Sequence, residues 1–303
     1  MSASRTVIFK PGIMSLRDLL AAIEGRLLLV HTMREARTVA WLLLTKLTGQ
    51  CRATLIAAAQ VDLDASQVMQ LEGWLSAICD RHMPVQYLIG SVPFAEALIR
   101  VRPPTLIPRP ETEEWVVRLT DQLRSLAGTP LTILDLCTGS GCIAIALAKI
   151  LPPGSRVVAV DLSSEALALA HENAKANAVD IVCIKSDLFA CLKGESFDLI
   201  VSNPPYVTDQ EWQDLAQRIT AWEDRGALVA PRCGLAILER IIAEAQCFLR
   251  ENKELQRHGI SRLTLEIGEE QAQEVVCLME QHGYHSIVVT KDLAGRNRTI
   301  SGI

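Results

Sequence analysis

Asn203-Pro204-Pro205-Tyr206 follows residues 197–202, a short apolar run of the kind that forms a buried parallel strand. Neither proline can donate to a strand ladder, so the strand must stop there. Open α/β sheets bind ligands at this carboxyl edge. An Asn stiffened by two prolines becomes a fixed donor and acceptor, and Tyr206 adds a flat face beside it. Together the four residues would grip a planar group carrying an NH2, either an amide or a nucleobase amine. A proline-terminated loop with an incidental Asn would look the same in isolation. The discriminating feature lies upstream.

Residues 133–146 run from a strand through a glycine turn into a helix. Gly139 and Gly141 permit a tight turn and a close backbone approach, and the N–H groups of the following helix then face a ligand. Cys137, Thr138 and Ser140 complete the loop. Gly139, Gly141 and Ala144 also satisfy a relaxed dinucleotide fingerprint. Asp135, just before the turn, separates the readings: a carboxylate there repels a pyrophosphate and attracts a cationic amino-acid group. Asp161 follows the next strand, where an acid can accept from ribose hydroxyls. Asp187, after the third, could accept from an adenine amine, with Leu188 or Phe189 against the ring. This set suits S-adenosylmethionine. Ordinary loop acids are the competing account of Asp161 and Asp187.

These residues need a parallel sheet to bring them together. From residue 131 the pattern alternates strand and helix, the signature of such a sheet. Strands are expected at 131–136, 156–160, 181–185, 197–202, 263–267, 286–290 and 298–302, and helices at 141–151, 164–177, 234–251 and 269–282. Residues 207–233 form a long irregular stretch with Trp212 and Trp222, placed as a lid or substrate wall. Upstream, residues 15 to 82 read as helices: Leu16, Leu19, Leu20 and Ile23 recur at helical spacing, as do Val39, Leu42, Leu43 and Leu47. Asp62, Asp64 and Ser66 offer caps to a helix whose inward stripe is Leu71, Trp74, Leu75 and Ile78. Residues 85–107 read as short strands, with a turn near Gly90. The expected domains are a helical substrate-docking domain (1–83), a β-hairpin linker (84–107) and a catalytic domain (108–303).

Between linker and sheet lie residues 106–115. Pro110 suits a first helical turn, and Glu111, Glu113 and Glu114 suit that helix's positive end. Capping explains the acids well. It does not explain Arg109 wedged between two prolines. Arg109, Glu111 and Glu113 are therefore candidates for the substrate site.

The chain has 303 residues, is 49% hydrophobic and carries a formal charge of -5. The acidic balance speaks against a protein whose affinity comes from neutralising a long nucleic-acid tract. No apolar run reaches the roughly 18 residues of a membrane span. Residues 1–10 lack the apolar core of a secretory signal, though their Ser and Arg leave a mitochondrial address open. The nine cysteines are odd in number and form no C-x-x-C, and Cys183, Cys247 and Cys277 lie in apolar runs, so buried reduced thiols are expected, and no metal site.

With these motifs placed, the chain resembles the glutamine N-methyltransferases that modify the GGQ motif of peptide-chain release factors, the PrmC/HemK family. The resemblance covers most of the chain: QYLIG, PFAEALIRV, LIPRPETE, LDLCTGSGCIAIALA, AVDLSSEALALAHENAKAN, SDLF and VSNPPYV. Asn203 to Tyr206 also occurs in adenine and guanine amino methyltransferases; LIPRPETE is more specific. Cys137 stands where the family commonly has Gly, and Leu188 where an aromatic often packs on adenine. Residues 222–228 replace an acidic residue followed by proline, and residues 230–235 a glycine-rich turn.

The resemblance implies a Rossmann-like class I α/β methyltransferase fold, with a mostly parallel seven-stranded sheet, one antiparallel strand near the end and a small N-terminal helical domain. It also implies S-adenosylmethionine as cofactor, a release factor's GGQ domain as partner, Asn203, Pro204, Pro205 and Tyr206 as the catalytic residues, and a cytoplasmic or mitochondrial-matrix setting. A monomer without stable nucleic-acid or membrane binding is expected. Three other readings compete: a methyltransferase acting on a ribosomal-protein glutamine or on adenine N6 or guanine N2, a nicotinamide-dependent oxidoreductase, and a binding module without catalysis.

Overall fold

The computed structural model describes residues 9–126 and 128–303. The reading of the N-terminus as a possible address falls on residues 1–10, of which 1–8 lie outside the described residues. The chain divides into two units, Met1–Gly90 with Ala216–Trp222, and Ser91–Leu215 with Glu223–Ile303.

The first unit is a helical cluster with a two-stranded edge. Its elements are β1 (Gly12–Ser15), α1 (Leu16–Leu27), α2 (Met33–Thr48), α3 (Arg52–Ala58), β2 (Gln60–Leu63), α4 (Ala65–Cys79) and α5 (Val85–Ile89). The helices start where side chains satisfy their free N–H groups. Thr32 with Glu35 and Asp64 with Gln67 form reciprocal capping boxes. Leu19, Ile23, Leu43, Leu44, Leu71 and Leu75 are fully buried at the centre.

Three expectations change here. β2 lies inside the stretch of residues 15 to 82 read as helices, and it pairs antiparallel with β1 just ahead of that stretch, Gly12 opposite Leu63; Val61 and Leu63 are buried in alternation, but four residues make a weak period. Leu42 is 40% exposed, because the inward stripe of α2 centres on Ala40, Leu43, Leu44 and Leu47. Residues Val85–Ile89 form a helical turn and not a strand. Gly90, at φ 83°, takes the left-handed closing position and donates to the Gln86 carbonyl at 2.8 Å. The hairpin is accordingly shorter than expected, β3 (Ser91–Phe94) and β4 (Ala97–Arg100), and groups with the second unit.

The second unit continues with α6 (Pro110–Arg124), β5 (Thr132–Leu136), α7 (Cys142–Ile150), β6 (Arg156–Asp161), α8 (Ser164–Ala176), β7 (Val182–Lys185), β8 (Leu199–Ser202) and α9 (Asp209–Asp214). α10 (Gln217–Thr220) lies in the segment that groups with the first unit. Residues 207–233 thus carry short helices and a parallel bridge between Val207 and Val229, so the stretch is less irregular than its sequence implies. Then come α11 (Ala236–Ala245), α12 (Lys253–Arg257), β9 (Leu263–Glu266), α13 (Ala272–Gln281), β10 (Val288–Lys291) and β11 (Asn297–Gly302). α11 stops well before residue 251, because Phe248 and Leu249 turn back beside Phe197.

The sheet has seven strands in the order β10-β11-β9-β8-β5-β6-β7, and β11 alone runs antiparallel to both of its neighbours. The fold is the Rossmann-like methyltransferase arrangement that the resemblance implies. Chain order reverses between β5 and β8, and a crevice opens at such a switch point. Two side chains of α8 fasten the hairpin to this frame. Asn173 accepts from Arg100 N (2.8 Å) and donates to the Arg100 carbonyl (3.0 Å) and the Ser140 carbonyl (2.9 Å); Asn177 repeats the pairing with Leu98. No helix among the described residues is long and apolar enough to cross a membrane.

Candidate active site

The glycine turn leaves β5 and enters α7. Asp135 is fully buried beneath it. Its Oδ2 accepts from Thr138 Oγ1 at 2.6 Å and from Ala144 N at 3.1 Å, whereas its Oδ1 is buried without a partner. Burial pushes this carboxyl up to about 7, the nearby Asp161 charge adds to the rise, and the two hydrogen bonds oppose it. A buried acceptor left open beside a glycine turn fits a cationic ligand group.

Gly141 has no alternative. Its φ is +81°, and an added Cβ would stand 2.9 Å from the Ala170 Cβ of α8. A Cβ on Gly139 would meet nothing within 4 Å, so the loop has open space in front of it. Cys137 holds a left-handed φ of 57° without being glycine. Asp161 closes β6; its Oδ2 accepts from Gly139 N (2.8 Å) and its Oδ1 from Ser163 N (2.9 Å). Each oxygen keeps a lone pair that a hydroxyl could reach. Burial raises the Asp161 carboxyl, and those N–H bonds oppose the shift.

The third acid is placed differently. Asp187 is exposed and accepts from Arg240 Nη1 at 2.9 Å. Leu188 is buried in the core with Phe189 and Leu192, at a left-handed φ of 48°. The residues fit S-adenosylmethionine at Asp135, Gly139 and Asp161; at Asp187 and Leu188 an adenine would share its partner with Arg240.

Asn203 leaves the end of β8 beside this turn, since Leu136 pairs with Ser202 and Ser202 Oγ donates to the Leu136 carbonyl at 2.7 Å. Asn203 Nδ2 donates to Thr112 Oγ1 (3.1 Å), and Thr112 Oγ1 donates to Glu266 Oε2 (2.7 Å). Trp115 Nε1 donates to the same oxygen at 2.9 Å, and Tyr206 OH to Glu266 Oε1 at 3.0 Å. Arg298 Nη1 lies 3.3 Å from the Tyr206 oxygen, and Asp292 pairs with Arg298 behind it. Glu266 is buried, which raises its carboxyl; the Thr112, Trp115 and Tyr206 bonds and the Arg298 charge oppose the rise. Burial likewise raises the Tyr206 phenol. Gly234 sits against this loop at φ +80°, and a Cβ there would collide with the Tyr206 carbonyl oxygen.

Of the charged candidates at the start of α6, Arg109 stands at the N-cap position with its side chain turned away to buried Glu223 at 2.6 Å, leaving Glu223 Oε1 without a partner. Glu113 accepts from Ala95 N at 2.7 Å and so holds the hairpin turn. Glu111 stands in the first helical turn. Sequence reasoning missed Thr112, Trp115, Glu266 and Arg298. Glu266 did carry a signal, as a lone acid in the apolar run of residues 263–267.

A family model described as the PrmC N-terminal domain matches residues 19–90, and one described as the methyltransferase small domain matches residues 119–225. The chain is 42% identical over 221 residues to a release factor glutamine methyltransferase of Streptococcus pneumoniae, covering 72% of this chain and 74% of that one. It is 36% identical over 253 residues to the Flavobacterium psychrophilum protein of the same name, covering 82% and 85%. It is 32% identical over 274 residues to that of Bacteroides thetaiotaomicron, covering 90% and 94%. With relatives of this identity matched over nearly their whole length, the chain belongs to the release factor glutamine methyltransferase family.

Proposed function

We propose that the protein methylates the side-chain amide nitrogen of the glutamine in the GGQ motif of a peptide-chain release factor, with S-adenosylmethionine as donor. The observation that carries the reading is an open acceptor beside an oriented amide at neighbouring strand ends: Asp135 Oδ1 is buried without a partner, and the amide nitrogen of Asn203 is committed to Thr112, which leaves the amide oxygen on the other side. Family membership supplies the substrate class.

In this reading S-adenosylmethionine supplies an electrophilic methyl group on a sulfonium. Asp135 holds its ammonium group and Asp161 its ribose hydroxyls, with the glycine turn of residues 137–141 beneath them. Asp187 and Leu188 flank the adenine. Asn203 Oδ1 and the Pro204 carbonyl each accept one N–H of the target amide. An amide nitrogen is a poor nucleophile, so orientation and exclusion of water are the site's task. Pro205 fixes the turn. Tyr206, its hydroxyl held by Glu266, keeps its ring beside the amide plane. The nitrogen loses its proton to solvent after transfer, without a general base. Asp135 also weighs against a nicotinamide dinucleotide, whose pyrophosphate it would repel. We place the reaction in the cytoplasm, with residues 1–83 docking the release factor and Arg109, Glu111 and Glu113 near its loop.

The test is transfer of label from S-adenosylmethionine to purified release factor, comparing intact GGQ with a Gln-to-Ala version. Label on the intact protein alone is expected. Equal label on both, or label on nucleic acid in its place, would overturn the reading. Asn203→Ala is expected to bind cofactor normally and to lose most of its turnover.

A further inference from the structure

We propose that Thr112 is a positioning residue that sets which end of the Asn203 amide faces the substrate, using the buried Glu266 carboxylate as its reference. The inference rests on the role of Asn203 given above and deepens it.

An Asn side chain can be turned end for end with little change in shape, yet its two ends do opposite things. A target amide approaches with N–H donors. Asn203 is useful only with its oxygen outward, because an outward NH2 would meet donor with donor. The rest of the loop does not settle this, since neither proline has an N–H to offer.

Thr112 settles it through the direction of its own proton. Trp115 Nε1 has only a hydrogen to give, so Glu266 Oε2 must accept. Thr112 also gives its hydroxyl hydrogen to Oε2, at 2.7 Å. Having spent it, Thr112 Oγ1 can only accept from Asn203, which therefore turns Nδ2 inward, at 3.1 Å. Thr112 is 2% exposed and Glu266 1%, so water does not compete for these bonds. On the far side of Glu266, Tyr206 donates at 3.0 Å and Arg298 supplies a positive charge.

This assigns a purpose to the motif of residues 106–113. Its charged members stand in the first helical turn, pair with Glu223 or hold the hairpin. Its threonine, the least conspicuous member, is the one that touches Asn203.

The experiment compares wild type, Thr112→Val, Thr112→Ser and Asn203→Ala, using labelled S-adenosylmethionine and intact GGQ release factor. It measures kcat, KM and cofactor Kd. In Thr112→Val, kcat should fall about tenfold or more, the scale of one buried hydrogen bond lost to an unpaired group. Cofactor Kd should stay within about twofold, and Thr112→Ser should restore kcat to within about threefold, because it keeps the hydroxyl. Thr112→Ala removes the hydroxyl without a second branch, and gives the same answer if the Val variant does not fold.

Three outcomes overturn the proposal: wild-type kcat without the hydroxyl, equal losses in the Ser and Val variants, or a matching loss of cofactor affinity. Loss in Asn203→Ala with none in Thr112→Val sinks the proposal alone. Full activity in Asn203→Ala sinks the underlying reading as well.

Discussion

Asp135→Asn should strengthen the fold and weaken the cofactor at once, and the two effects should separate with pH. The folded carboxyl sits near 7, against 3.8 for an ordinary aspartate. Because the folded value is the higher, the folded state holds the proton more tightly, so this group's contribution to stability falls as pH rises from about 4 to about 7 and is fully lost above that. A rise from 3.8 to about 7 corresponds to about 4 kcal/mol of destabilisation at pH 8. An Asn can keep its oxygen on Thr138 and Ala144, where Oδ2 now accepts. Its NH2 then lies where Oδ1 has no partner, at a cost of about 2 kcal/mol. The net gain is about 2 kcal/mol at pH 8, about 4 °C in Tm. Near pH 5 relief and cost are similar and the gain should vanish.

Cofactor binding should move the other way. A cationic group beside Oδ1 favours the ionised carboxyl, so binding to wild type expels a proton below about pH 7. Affinity should then climb by up to tenfold per pH unit as pH rises towards 7. In Asp135→Asn that climb should be absent, and Kd at pH 7.5 should be weaker by about a hundredfold, the loss of a charge-assisted bond with a donor in its place. Calorimetric titration between pH 5.5 and 8 and thermal melts without cofactor read both effects. An unchanged Kd with the climb retained would refute Asp135 as the ammonium acceptor. A lower Tm at pH 8 would refute the claim that its charge is held at a cost to the fold.

The remaining expectations concern the supports. Gly234→Ala must displace the Tyr206 carbonyl, which the added Cβ would overlap, and must hold φ +80°. It should lower stability by about 2 kcal/mol or more and abolish turnover, as a melt and a methylation assay would show. Asn173→Ala strands the Ser140 carbonyl and unfastens β4 from α8. It should cost about 2–4 kcal/mol and weaken cofactor Kd; wild-type affinity would mean that the turn keeps its shape unaided.

The placement of the candidate residues in the fold was legible because it follows from period and position. Asp161 ends its strand, Asn203 follows one and Asp135 stands one residue before the end of another, and strand ends in an alternating pattern fall on one edge. Where two periods fit equally the sequence misled. Val85, Tyr87 and Ile89 alternate as a strand would, yet five residues closed by a left-handed glycine turn into a helix. Phe248 and Leu249 prolong the apolar pattern of α11 because they are half-buried against the core, though as a return beside Phe197; Cys247 next to them, and Cys277 on α13, are exposed and not the buried thiols that their apolar runs imply. The Thr112–Glu266 contact joins residues 154 apart in sequence, and no local pattern encodes it.

Strand register explains why that contact exists. Leu136, Ser202 and Leu265 lie in one row across β5, β8 and β9. One step further along each strand come Cys137, Asn203 and Glu266. The row thus sets an amide and a carboxylate on adjacent strand ends, whose backbones stand roughly 4.8 Å apart. Thr112 of α6 fills the interval with one hydroxyl, bonded to both sides. A hydroxyl is the smallest group that can accept from one neighbour while donating to the other. Moving β9 by one residue would turn Glu266 to the opposite face of the sheet and leave Thr112 without its acceptor. Position along the sheet and polarity of the hydrogen bonds are therefore fixed together.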